Sequence, residues 1–133
     1  MNEGRTVFAQ LMGEVPKYEF DKCVRRYRGD HRVRSLSSYE QFLVMSFAQL
    51  TSRESLRDIE TCLHALSTKL YHSGIGQPPA RSTLAAANEK RDWRIFSDFA
   101  HVLIPQATLL YAAEPFGAEL KQAAYALDST TID

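Results

Sequence analysis

The chain has 133 residues, 44% of them hydrophobic and 24% charged, and its 16 Lys/Arg balance 16 Asp/Glu. This length suits one domain of ordinary size, and the composition excludes a low-complexity or disordered chain. A formal net charge of zero means that charge alone names no partner.

Residues 5–14 read as a short helix, with Val7, Phe8, Leu11 and Met12 on one face and Gly13 and Pro16 ending it. Residues 17–28 read as a second helix, with Phe20, Cys23, Val24 and Tyr27 as its apolar stripe and Gly29 as its stop. Ser37 or Ser38 can cap a third helix running to about Leu50, with Glu40 or Gln41 completing a capping box. Its apolar side holds Tyr39, Phe42, Leu43, Phe47 and Leu50. Thr51-Ser52 should break and recap the chain into a fourth helix over 53–66, seamed by Leu56, Ile59, Leu63 and Leu66. Residues 67–80, with Gly74, Gly76, Pro78 and Pro79, read as a loop. Ser82 is expected to cap a segment from Thr83 to about Glu89. A longer helix over 91–111 follows, and Trp93, Phe96, Phe99, Ala100 and Leu103 should be its buried stripe. Pro105 should kink or end that helix. Glu114 to Gly117 is a turn signal, and 123–128 reads as a strand.

The two cysteines, Cys23 and Cys62, lack any CxxC or Cys/His metal spacing and read as reduced thiols of a cytoplasmic protein. The opening MNEGRTVFAQ lacks a signal-peptide core, and no apolar run approaches the ~20 residues that span a bilayer. Neither a membrane nor a small-molecule substrate is therefore expected.

Charge is unevenly spread: residues 1–34 hold 8 Lys/Arg against 5 Asp/Glu. Lys22, Arg25, Arg26, Arg28, Arg32 and Arg34 form the strongest basic feature, suited to a phosphate backbone. A solvated helix face is the plain alternative. The order helix, turn, helix, loop, short helix over 38–89 suits a three-helix DNA-binding arrangement. Its last segment carries Arg81, Ser82, Thr83, Asn88, Lys90, Arg91 and Arg94, residue types that contact bases or phosphates. An ordinary helical bundle with a polar surface gives the same pattern. Asp128, ending an apolar run and followed by Ser129-Thr130-Thr131, is a candidate metal ligand, and Asp133 a weaker one. A turn aspartate is the simpler reading of either.

Four stretches together carry a resemblance: FAQLMGEVPKYEFDKCVRRYRGDHRVRSLSSYEQFLVMSFAQLTSRESLRDIETCL, LYHSGIG, ARSTLAAANEKRDWRIFSDFAHVL and YALDSTTID. They resemble the N-terminal part of bacterial insertion-sequence transposases of the DDE type, in the insertion-sequence-four group. Members often begin with a small helical domain of unassigned function, which residues 1–76 resemble. The resemblance implies double-stranded DNA, the element's terminal repeats, as partner. It also implies a bacterial cytoplasmic location, Mg²⁺ in the full-length enzyme and Asp128 as the first of three catalytic carboxylates.

The expected fold is thus mainly α. Residues 1–76 would form a helical domain with a helix-turn-helix-like arrangement, and 77–120 a helical linker or second DNA-binding segment. Residues 121–133 would be the first strand of a truncated RNase-H-like domain. Such a chain is expected to bind DNA, to hold no cofactor and to cut nothing alone. The alternatives are a helical homodimerisation module of the transposase and a non-functional gene remnant.

Overall fold

A computed structural model of the chain describes residues 6–112. The expected strand 123–128, the turn at Glu114 and both Asp128 and Asp133 lie outside that range. Among the described residues the fold is mainly helical, as expected, with seven α-helices.

Capping residues set most of the helix starts. In α1 (Val7–Gly13) the Thr6 hydroxyl accepts from the Ala9 N–H at 3.1 Å. α2 (Lys17–Arg26) begins at Pro16, whose missing N–H costs nothing at a helix start. α3 (Ser38–Leu50) starts at the expected Ser37, whose Oγ accepts from the Glu40 N–H at 3.1 Å; the second half of a capping box is replaced by a bond from the Ser37 hydroxyl to the Glu40 carboxylate at 3.4 Å. α4 (Leu56–Ala65) is capped by Ser55, whose hydroxyl accepts from the Asp58 N–H at 3.1 Å, and not by Thr51-Ser52.

The expected loop 67–80 instead starts with α5 (Ser67–Leu70) and a 3-10 turn, Tyr71–Ser73. Burial of Leu70, Ser73 and Ile75 explains this, since packing orders a segment whose sequence periodicity is too short to read. Gly74, at φ 95°, supplies the left-handed residue that ends the turn.

α6 (Arg81–Lys90) and α7 (Arg94–Tyr111) are separate helices. Ser82 does not cap α6. Its first N–H, at Arg81, donates to the Glu60 carboxylate of α4, so a residue from another helix does what a local serine was expected to do. α7 continues through Pro105, which is exposed. Trp93 and Ala100 are exposed rather than buried, and Ile95 is the fully buried residue at that end of the stripe.

α3 stands between two cores. On one side Leu43, Val44, Phe47 and Ala48 pack with Ile59 and Leu63 of α4, Leu84 of α6, and Leu36, Leu70 and Ile75. The segments read as a helix-turn-helix-like group, α3, α4 and α6, thus share one core. On the other side Tyr39 and Phe42 meet Phe20, Cys23 and Val24 of α2 and Ile95 and Phe99 of α7. Phe20 is fully buried, its ring 5.2 Å from Phe42 and 5.1 Å from Phe99. Removing such a ring costs about 3–5 kcal/mol. No helix among the described residues is long and apolar enough to cross a membrane.

Candidate nucleic-acid interface

The segment after α2 is built around an arginine where a glycine is usual. The Gly29 N–H donates to Val24 O at 2.9 Å and the Arg28 N–H to Arg25 O at 3.3 Å. These are the two bonds of a Schellman helix end, whose left-handed position ordinarily takes glycine. Here it is Arg28, at φ 54°. The sequence expectation that Gly29 is the stop is off by one residue. Gly29 serves a close approach instead: a Cβ there would lie 2.5 Å from Ile95 Cδ1 and 2.7 Å from Ser38 Oγ. Arg32, at φ 58°, is a second left-handed arginine.

Asp30 fixes the turn between them. Its Oδ1 accepts from the Ser38 N–H at 2.7 Å and the Ser38 hydroxyl at 2.8 Å. The carboxylate thereby also meets the positive end of α3. The Val33 N–H donates to Asp30 O at 3.2 Å. Arg28, Arg32 and Arg34 are thus carried on a short turn bonded at its centre to α3, and all three are exposed.

Facing this turn is one face of α6, from Thr83 to Lys90. A groove of about 540 Å³ runs between them, and Arg28, His31, Arg32, Arg34, Lys90 and Arg91 supply its basic lining. Thr83 and Ser35 add hydroxyls, while Ala86 and Ala87 keep the α6 wall low. Five Lys/Arg therefore face one acid, Asp92, and that acid is already engaged by Arg94 at 2.7 Å. The Arg94 guanidinium holds the Asp92 carboxyl below its ordinary range.

Arg91 differs from its neighbours. It is half-buried, donating to Gln41 Oε1 at 2.9 Å and to Leu36 O at 2.8 Å, and this burial pushes its guanidinium pKa down. Asn88 accepts from Gln41 Nε2 at 2.7 Å. Both side chains tie α6 to α3.

Residues 3–76 match the family described as a domain of unknown function, DUF4372. The chain belongs to that family. No curated protein and no solved structure matches it. The DUF4372 match ends between Gly74 and Ala80, so α1 to α5 fall within it and α6 and α7 beyond it. The groove crosses that limit, with one wall from the DUF4372 segment and the other from the residues after it.

The residues singled out from sequence therefore divide. Arg28, Arg32, Arg34, Thr83, Lys90 and Arg91 come together in the groove. Lys22 pairs with Glu19 at 2.9 Å and Arg26 with Asp98 of α7, and neither is in the groove lining. Tyr27 also donates to Asp98, at 2.6 Å, and these two bonds hold the Asp98 carboxyl below its ordinary value. Arg25 lies over a shallow cleft with Asp21 and Asp30. Arg81 and Ser82 are exposed at the far end of α6. Arg94 lies 4.6 Å over the Tyr27 ring. His31 and Ser35 are lining residues the sequence reading passed over, although both sit inside or beside the basic run it marked. Among the described residues no group of three His, Cys, Asp or Glu could hold a metal ion.

Proposed function

We propose that this chain binds double-stranded DNA, and that the groove between the 28–34 turn and α6 takes its phosphate backbone. One observation carries the reading: two basic segments about fifty residues apart in sequence line one groove whose single acid is already paired. Two arginines held in the left-handed region within its lining add support. Local strain of this kind is retained where the side chain has a task. Tyr27 is the one aromatic in the lining, and its ring lies under Arg94, which suits a duplex backbone better than a run of stacked single-strand bases.

The resemblance extends the reading to the N-terminal DNA-binding region of a DDE-type insertion-sequence transposase, with terminal repeats as the sequence bound. Asp128 would be the first catalytic carboxylate and a Mg²⁺ ligand in the complete enzyme. The test is fluorescence anisotropy of the chain with element-end and scrambled duplexes across a salt series. With Arg28, Arg32, Arg34 and Lys90 each meeting a phosphate, the log–log salt slope should be roughly −3 to −4. Affinity that ignores salt would refute the groove.

A second reading, a dimerisation module, has its own observation. Met12, Phe42, Met45, Leu50 and Phe96 line an apolar groove of about 480 Å³. Ile104, Leu109, Leu110 and Tyr111 are exposed on α7. Sedimentation equilibrium separates the two readings: a salt-insensitive dimer without DNA affinity favours the second.

A further inference from the structure

Trp93 is the chain's single tryptophan, and it stands 71% exposed. The backbone beneath it is anchored. Asp92 Oδ1 accepts from the Arg94 N–H at 3.0 Å, and the Asp92 carbonyl accepts from the Ile95 N–H at 3.2 Å. The Trp93 carbonyl accepts from the Phe96 and Ser97 N–H groups at 3.1 and 3.2 Å. Ile95, two residues on, is fully buried. A large apolar ring is therefore displayed in water from a fixed turn between α6 and α7.

Its position relative to the basic groove is equally defined. Arg91 and Asp92, immediately before it, line the groove. Arg94, immediately after it, lies over Tyr27, another lining residue. Trp93 itself is not in the lining, but it directly follows two lining residues in the chain and has Lys90, Arg91 and Arg94 within three positions. A flat apolar face beside several cations matches a ligand that joins a flat ring to an anion, which is a nucleobase on its phosphate backbone.

We infer that Trp93 stacks on an exposed nucleobase while the groove holds the neighbouring phosphates. The inference rests on the groove's binding DNA, and it narrows the substrate class. A continuous duplex keeps its base faces stacked inside. A duplex with a single-stranded flank offers one at the point where pairing stops. The preferred ligand is therefore duplex DNA with an unpaired flank.

The single tryptophan makes the test direct. The full chain is titrated with two DNAs of the same sequence: a closed duplex minicircle, which has neither ends nor loops, and the same duplex cut once to leave short single-stranded overhangs. Tryptophan emission is read alongside anisotropy. The overhang DNA should quench the emission and bind more tightly, and the minicircle should bind with little quenching. Trp93→Ala should weaken overhang binding about 5- to 150-fold, the worth of one stacked base, and leave the minicircle within two-fold. Trp93→Phe should keep most of the preference. An overhang preference that survives in Trp93→Ala, or a loss equal for both DNAs, would overturn the stacking role and leave the groove standing. No affinity for either DNA would overturn both.

Discussion

Gln41 and Asn88, 47 residues apart, meet through a 2.7 Å hydrogen bond from Gln41 Nε2 to Asn88 Oδ1. Gln41 is only 4% exposed, and its Oε1 also accepts from Arg91. One buried carboxamide thus joins the first turn of α3 to the last turn of α6. Truncating it leaves the half-buried Arg91 short of a partner. Gln41→Ala should destabilise the fold by about 1–3 kcal/mol, the cost of stranding buried polar groups. Chemical denaturation checks this. A midpoint equal to that of the parent chain would mean that α6 is held by its apolar contacts alone.

Arg28 predicts opposite signs for stability and affinity. Its left-handed backbone, φ 54°, suits glycine. Arg28→Gly should therefore raise stability, by up to about 1 kcal/mol, by relieving the Cβ penalty at a Schellman position. On the proposed reading the same change weakens DNA binding and makes the salt slope shallower by about one unit. Thermal melting and anisotropy on one preparation give both numbers. A stabilised variant with unchanged affinity would show that the arginine serves no ligand.

Arg32→Glu and Arg34→Glu, singly, should each weaken binding across all duplex sequences and cut the salt slope by about one. Lys22→Glu, outside the groove lining and already paired with Glu19, should have a much smaller effect. If Lys22→Glu does as much harm as Arg32→Glu, the contact surface lies on α2 rather than in the groove.

How well the sequence foretold these positions depended on how local the deciding interactions are. The Ser37 cap on the Glu40 N–H spans three residues, and α3 begins and ends where the sequence places it. Gly29 was read from composition, and the bond pattern that puts Arg28 in the left-handed position is not visible in composition. The residue types of Asn88 and Arg91 suggest contacts to DNA. Their engagement by Gln41 depends on a pairing across about fifty positions that no periodicity encodes. Spacing places Trp93 in the buried stripe, but Trp93 is the residue before α7, and within the helix the stripe begins at Ile95, four residues before Phe99. Two basic segments were marked separately, and their convergence is a property of the fold alone.

Acid should loosen the α2–α7 pair. Asp98 accepts from Tyr27 and Arg26, and these bonds lower its pKa from the ordinary 3.8. A lowered carboxylate pKa gives stability that is complete above the unfolded value and is lost as pH falls through the native one. The loss should therefore appear as pH drops below about 3.8. Asp98→Asn should flatten that part of the pH–stability curve and lower the neutral-pH plateau. Equal acid slopes for the two proteins would assign the acid sensitivity to other carboxylates.

Because one wall of the groove belongs to a turn bonded to α3 and the other to a helix reached through the exposed connection at Gly76 and Gln77, an occupied groove and a docked α6 favour each other thermodynamically. Whatever polyanion fills the groove acts as a clasp across the DUF4372 limit. If α6 docking tightens the polyanion, the polyanion protects α6 against local unfolding by the same factor, and hydrogen exchange of the α6 amides would read it.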